Sequence, residues 1–377
     1  MPARPTVPTG PTGLGTEAAR LLLRRPALPD SAAEAVPELH TCGPLRDDRA
    51  LGETVNDRLL DWAADVGIYP GRLEEIRAAD FGRLVMLCYP DTDDVERLLA
   101  PARCTLAAWA MDDHYCDDTT LGAAPHLLGS RLAAAAAAAD RLRLPGRYAT
   151  EFDDAVRDDP VLTAVRSAVE HLATVATPAQ VTRARHAMTS LFPGMAQEAT
   201  WRATSRVPAV WEYLVNRQAN SFRPCLAVID AVGGYQLADD VWSDPRLQHT
   251  LTTATLASSL LNDLYSVHRE ARDTGQDFNL PLSIAAEDNC SLPEAIERGA
   301  ALHNQLMRHY EAQAATLALA GPPELRRYLV GVSAWCGGNH AWHHGNPRYA
   351  SSPPTGLSSW AQPPRRRQRT SDEGDPA

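Results

Sequence analysis

The sequence contains no lysine: every basic residue apart from histidine is an arginine. This reflects coding bias rather than chemistry. Nor does it contain a Cys-x-x-Cys. Its seven cysteines, Cys42, Cys88, Cys104, Cys116, Cys225, Cys290 and Cys336, follow no repeated spacing, which excludes a disulfide framework and a zinc site. Reduced thiols of a cytoplasmic protein are expected. No run approaches the ~18 uninterrupted apolar residues of a membrane span, and the N-terminus lacks the apolar core of a signal peptide. A membrane partner is therefore not expected. A clustered basic face is missing as well, and with a formal net charge of -11 no nucleic-acid partner is expected. An acidic chain can still bind an anionic small molecule, provided that it recruits metal cations or a local group of arginines. The sequence allows a homodimer without requiring one.

What is present is ordinary material for a globular core: 377 residues, 44% hydrophobic and 22% charged. Residues 1–45 carry eight prolines and little apolar periodicity, so they read as a flexible arm. Residues 351–377, with Pro353, Pro354, Pro363 and Pro364, read as a tail of the same kind. Between them, over 46–350, apolar residues recur at helical spacing, as in Leu51, Val55, Leu59, Leu60 and Trp62, or Leu302, Leu306 and Tyr310. No segment alternates as a strand would. Breakers at Tyr69-Pro70-Gly71, Tyr89-Pro90, Pro145-Gly146, Asp159-Pro160, Thr177-Pro178, Asp244-Pro245, Gly275 with Pro281, and Gly321-Pro322-Pro323 divide this part into roughly ten helices. The expected fold class is all-α, a single large helical bundle.

Two motifs carry chemistry. The first is Asp112-Asp113-His114-Tyr115-Cys116-Asp117-Asp118, at the end of an apolar helix that includes Leu106 and Trp109. If the helix continues, Asp113 and Asp117 share a face with Trp109. So many carboxylates repel one another and oppose the helix dipole, a cost that divalent cations offset. The second is Asn262-Asp263-Leu264-Tyr265-Ser266-Val267-His268-Arg269-Glu270. Here Asn262, Ser266 and Glu270 fall at i, i+4 and i+8 of one helix, three oxygen donors suited to one metal ion. Asp112, Asp113, Asp117, Asn262, Ser266 and Glu270 are the candidate metal ligands. Together they fit a magnesium site that faces a diphosphate.

A departing diphosphate also needs cationic donors, for which Arg217, Arg269 and the pair Arg348-Tyr349 are candidates. A carbocation in a dry pocket needs π faces. Trp109, Phe192, Trp201, Phe222, Trp335 and Trp342 are candidates for that role.

These motifs resemble those of the bacterial class I terpene synthases. The segment from Asp112 to Asp118 is similar to their aspartate-rich motif, and Asn262, Ser266 and Glu270 match their (N/D)Dxx(S/T)xxxE triad. Arg217 resembles their diphosphate-sensing arginine, and Arg348-Tyr349 their C-terminal Arg-Tyr pair. The resemblance covers residues 45–350 and implies a class I helical bundle, three Mg²⁺ ions and an allylic diphosphate substrate. Within that family, the form of the first motif and the segments 66–73 and 222–235 are most similar to members that cyclise 2-methylgeranyl diphosphate to a C11 alcohol.

A prenyl-elongating synthase would carry a second aspartate-rich motif where this chain has Asn, Ser and Glu. A cyclase making 2-methylenebornane or another mono- or sesquiterpene fits the same motifs, because product identity depends on pocket contour. A non-catalytic helical diphosphate-binding protein is the reading outside enzymology.

Overall fold

The computed structural model describes residues 36–117, 123–272, 278–346 and 349, the side chains of 117 and 269–272 excepted. Among the described residues there is no strand. Fourteen helices have seven residues or more: α1 (Arg49–Val66), α2 (Leu73–Ala79), α3 (Phe81–Cys88), α4 (Val95–Asp112), α5 (Leu128–Asp140), α6 (Arg147–Asp158), α7 (Pro160–Val175), α8 (Pro178–Thr189), α9 (Leu191–Ala203), α10 (Val210–Ala219), α11 (Pro245–Arg272), α12 (Leu280–Asp288), α13 (Leu292–Ala320) and α14 (Pro323–Gly345). Three single-turn helices lie between α10 and α11.

The expectation of about ten helices is low, because some junctions are made without proline or glycine. Asp80, in left-handed conformation at φ 54°, ends α2 and caps α3 by accepting from the Arg83 amide. The junctions at Asp159-Pro160 and Thr177-Pro178 act through their chemistry. Asp159 accepts from the Val161 and Leu162 amides ahead of Pro160, and Thr177 with Gln180 forms a capping box, as Ser291 does with Glu294.

Helix α4 buries Leu98, Leu99, Leu106 and Met111 and packs along α7, while the long helices α11 and α13 pack along each other. Helix α14 closes the bundle between α3 and α11. Its approach to α3 depends on Gly338, where a Cβ would lie 2.7 Å from the Leu87 carbonyl. Any larger residue there would push α14, and the groups it carries, away from α3. No helix among the described residues is long and apolar enough to cross a membrane.

Residues 36–45 fall within the expected proline-rich arm, yet they pack. Leu39 is buried in a cluster with Leu264 and Ile296, the His40 amide donates to Asn304 at 2.7 Å, and Thr41 bonds His340 at 3.2 Å. Arg46 then donates to the carbonyls of Met86, Tyr89 and Thr92, at the end of α3 and just beyond. A cation on the last carbonyls of a helix also suits its dipole. Residues 1–35 and 350–377 lie outside the described residues.

Candidate active site

The first motif does sit at the end of α4, but the chain does not continue as an α-helix. Residues Asp113–Asp117 wind as a π-helix, with wider i to i+5 turns. This corrects the expectation that Asp113 and Asp117 repeat on the Trp109 face at α-helical spacing. Asp113 Oδ2 accepts from the Tyr69 hydroxyl at 2.7 Å. Tyr69 is buried and takes φ 53°, a left-handed geometry that costs a non-glycine residue free energy. The bond to Asp113 and the edge of His114 at 5.5 Å hold it there. Asp112, the preceding residue, is half-buried, and the Asp117 side chain lies outside the described residues. Tyr115 donates to Asp159 at 2.7 Å, tying the π-helix to the start of α7.

The second motif lies on α11. Asn262 faces a cluster drawn from three other segments. Its Nδ2 donates to His343 Nε2 at 3.0 Å and to the Tyr349 hydroxyl at 3.3 Å, and its Oδ1 accepts from Arg217 Nη2 at 3.4 Å. Ser266 is buried and donates to the Asp263 carbonyl at 3.4 Å. The side chains of Arg269 and Glu270, and the whole of Arg348, lie outside the described residues.

Asp263 proves to be a strut. It is buried, accepts from Arg217 Nη2 at 2.9 Å, from the Tyr213 hydroxyl at 2.8 Å and from the Leu280 amide at 3.4 Å, and so fixes Arg217 beside Asn262. Burial pushes its carboxyl up, while Arg217, Tyr213 and the Leu280 amide pull it back. Arg217 also donates to the Asn220 and Ser259 carbonyls. An arginine held by this many acceptors keeps its fork in one orientation.

The six aromatic candidates divide among separate groups. Trp109 and Trp342 meet edge to face at 6.3 Å with Phe81 against both, and Trp342 Nε1 donates to the Ala79 and Asp80 carbonyls. Phe222 and Trp335 pack at 5.1 Å. Phe192 packs in the group around Tyr115, Leu191 and Met195, and Trp201 meets Phe278 in a cluster with Tyr213. Helix α14 thus carries one member of each of the first two pairs, together with His343 on Asn262, whereas Phe192 and Trp201 pack elsewhere.

Sequence reading missed Tyr69, Tyr213, Asn220 and His343. Tyr69 lies in a segment quoted above only for likeness. The others carry no local signal, since each acts through a contact that the motifs themselves do not encode.

All seven cysteines are free, and burial pushes the thiols of Cys104 and Cys336 up to about 12, which leaves them unreactive. Among the described residues no three His, Cys, Asp or Glu side chains form a metal cluster. The described donors of the two motifs are instead carboxylates, an amide oxygen and a hydroxyl, all hard oxygen ligands.

The chain is similar to several known proteins. The profile described as terpene synthase family 2, C-terminal metal binding, matches residues 103–309, a span that includes Asp113, Arg217 and Asn262. The chain is 40% identical over 349 residues to the 2-methylisoborneol synthase of Streptomyces ambofaciens, covering 89% of this chain and 79% of that one. It is 36% identical to the 2-methylisoborneol synthase of Saccharopolyspora erythraea, covering 85% and 92%. Among solved structures it is similar to the 2-methylisoborneol synthase of Streptomyces coelicolor in complex with Mg²⁺ and 2-fluoroneryl diphosphate, with a TM-score of 0.80, 37% identity, and coverage of 84% and 98%. On the profile match, and on identity of this order across most of its length, the chain belongs to terpene synthase family 2.

Proposed function

We propose that this chain ionises 2-methylgeranyl diphosphate, closes the cation and captures water, forming 2-methylisoborneol and releasing diphosphate. One observation carries the reading: Arg217, Asn262, His343 and Tyr349, from three helices and the segment after α14, form one hydrogen-bonded cluster, while Tyr69 holds Asp113 of the other motif. The identity of 36% to 40% with 2-methylisoborneol synthases supports the substrate.

Asp112, Asp113 and Asp117 on one motif, and Asn262, Ser266 and Glu270 on the other, would hold Mg²⁺, three ions in all, because each offers oxygen and Mg²⁺ takes few protein ligands. Bound there, the metal supplies positive charge to the diphosphate as the C–O bond breaks. Arg217, Arg269, Arg348 and Tyr349 supply the remaining donors, and Asp263 keeps Arg217 in place for that task. Of the aromatic candidates, the half-buried Trp109 and Phe222 would offer π faces to the allylic cation, backed by the buried Trp342 and Trp335 that pack against them, stabilising charge without offering a nucleophile. Ring closure precedes capture only if the lining keeps water from the first cation.

The test is incubation with Mg²⁺ and C10, C11 and C15 allylic diphosphates, with products identified by gas chromatography. A C2 methyl in a fitted apolar site is worth ~1–3 kcal/mol, a preference of roughly 10- to 200-fold in kcat/KM for the methylated substrate over geranyl diphosphate. Equal or better kcat/KM with geranyl or farnesyl diphosphate would reject the substrate and leave the cyclase class standing.

A further inference from the structure

An asparagine can offer a cation only one of its two polar atoms. The amide oxygen ligates Mg²⁺; the amide nitrogen, a donor only, does not. Half a turn about the terminal torsion exchanges them, and that torsion is soft. A magnesium site that uses Asn262 therefore has to fix the amide.

The geometry points to His343 as the positioning residue that does so, presenting the Asn262 oxygen to the metal and holding the nitrogen away from it. This rests on the reading of Asn262 as a magnesium ligand. His343 Nδ1 lies 2.8 Å from the Asn339 carbonyl, one turn back on α14. A carbonyl only accepts, so the proton of the neutral ring sits on Nδ1 and Nε2 keeps its lone pair. Nε2 is the atom 3.0 Å from Asn262, and it can accept only from the amide nitrogen. At the other end, Arg217 is a donor without lone pairs, and its Nη2 faces Oδ1 at 3.4 Å. Acceptor and donor thus key the two ends of one amide, and of the two the histidine contact is the shorter. The ring has little freedom to turn: it is 1% exposed, edge-on to Trp342 at 4.8 Å and tilted 32° on Tyr349 at 4.6 Å.

The experiment is a double-mutant cycle read by isothermal titration with Mg²⁺ and inorganic diphosphate, which needs no turnover. His343→Phe keeps the ring and removes the acceptor; His343→Gln restores an acceptor oxygen. Asn262→Asp makes orientation irrelevant, because a carboxylate presents oxygen whichever way it turns. His343→Phe is expected to weaken Mg²⁺-dependent diphosphate uptake by at least ~10-fold, the lower end for a lost partner of a metal ligand. His343→Gln is expected to recover most of that loss. In the Asn262→Asp background the same His343→Phe change is expected to cost less than ~2-fold, the margin of simple additivity. Equal losses in both backgrounds would mean that the ring only packs, and no loss beside Asn262 would likewise overturn the assignment. If His343→Phe does not fold, His343→Leu takes its place in the same cycle. Unchanged uptake by Asn262→Ala would instead reject Asn262 as a ligand, a failure of the underlying reading and distinguishable from the rest.

Discussion

Replacing Asp263 by leucine tests whether this carboxylate is a strut or a ligand. The substitution removes the acceptor shared by Arg217, Tyr213 and the Leu280 amide in a buried position. Removing one partner of a buried ion pair costs about 3–5 kcal/mol, since the other charge stays desolvated. Arg217 keeps its bonds to the Asn220 and Ser259 carbonyls, which limits the loss, and the leucine returns some apolar burial. A net destabilisation of about 3 kcal/mol is expected, a large share of the ~5–15 kcal/mol that holds a typical domain folded. Urea unfolding followed by circular dichroism measures it. The double variant Arg217→Met/Asp263→Leu, with neither charge left behind, is expected to be more stable than Asp263→Leu alone. Asp263→Leu within ~1 kcal/mol of wild type, or a double variant weakened by the sum of both singles, would refute the strut.

Removal of a proposed metal ligand should act on chemistry instead: Asn262→Ala and Glu270→Ala are expected to keep the helical circular dichroism and lose at least ~10²-fold in kcat, the scale of a lost electrostatic stabiliser. Burial lowers His303 to about 4, so between that value and the ordinary 6.5 the unfolded chain binds a proton that the folded one does not. Stability is then full above pH 6.5 and falls as the pH drops toward 4, by up to ~3 kcal/mol, and His303→Gln should flatten that part of a melting-temperature profile. Asn339 is buried with neither side-chain polar atom bonded among the described residues, so Asn339→Leu is expected to raise stability by ~1–2 kcal/mol in urea unfolding. Arg46→Ala removes the donors to Met86, Tyr89 and Thr92 and is expected to cost roughly 2–3 kcal/mol in urea unfolding, and a variant as stable as wild type would show that these bonds contribute nothing.

Sequence alone determined the helical class, most of the helix boundaries and both motifs. Each of these is written in neighbouring residues: a cap such as Thr177 ahead of Pro178, or the i, i+4, i+8 spacing of Asn262, Ser266 and Glu270, depends on atoms a few positions apart. Tertiary structure decided which parts of those motifs do what. Asp263, adjacent to Asn262 and as acidic as Asp112 or Asp113, turns inward to Arg217 because one helix presents successive residues about 100° apart to different neighbours. The same rotation separated Trp342, against Trp109, from His343, against Asn262. Neither the π-helix at Asp113–Asp117, which Tyr69 and Asp159 bond from distant parts of the chain, nor the close approach of α14 to Leu87 at Gly338 was read from the sequence. Chain spacing fixes what lies on a helix; only packing fixes what that helix faces.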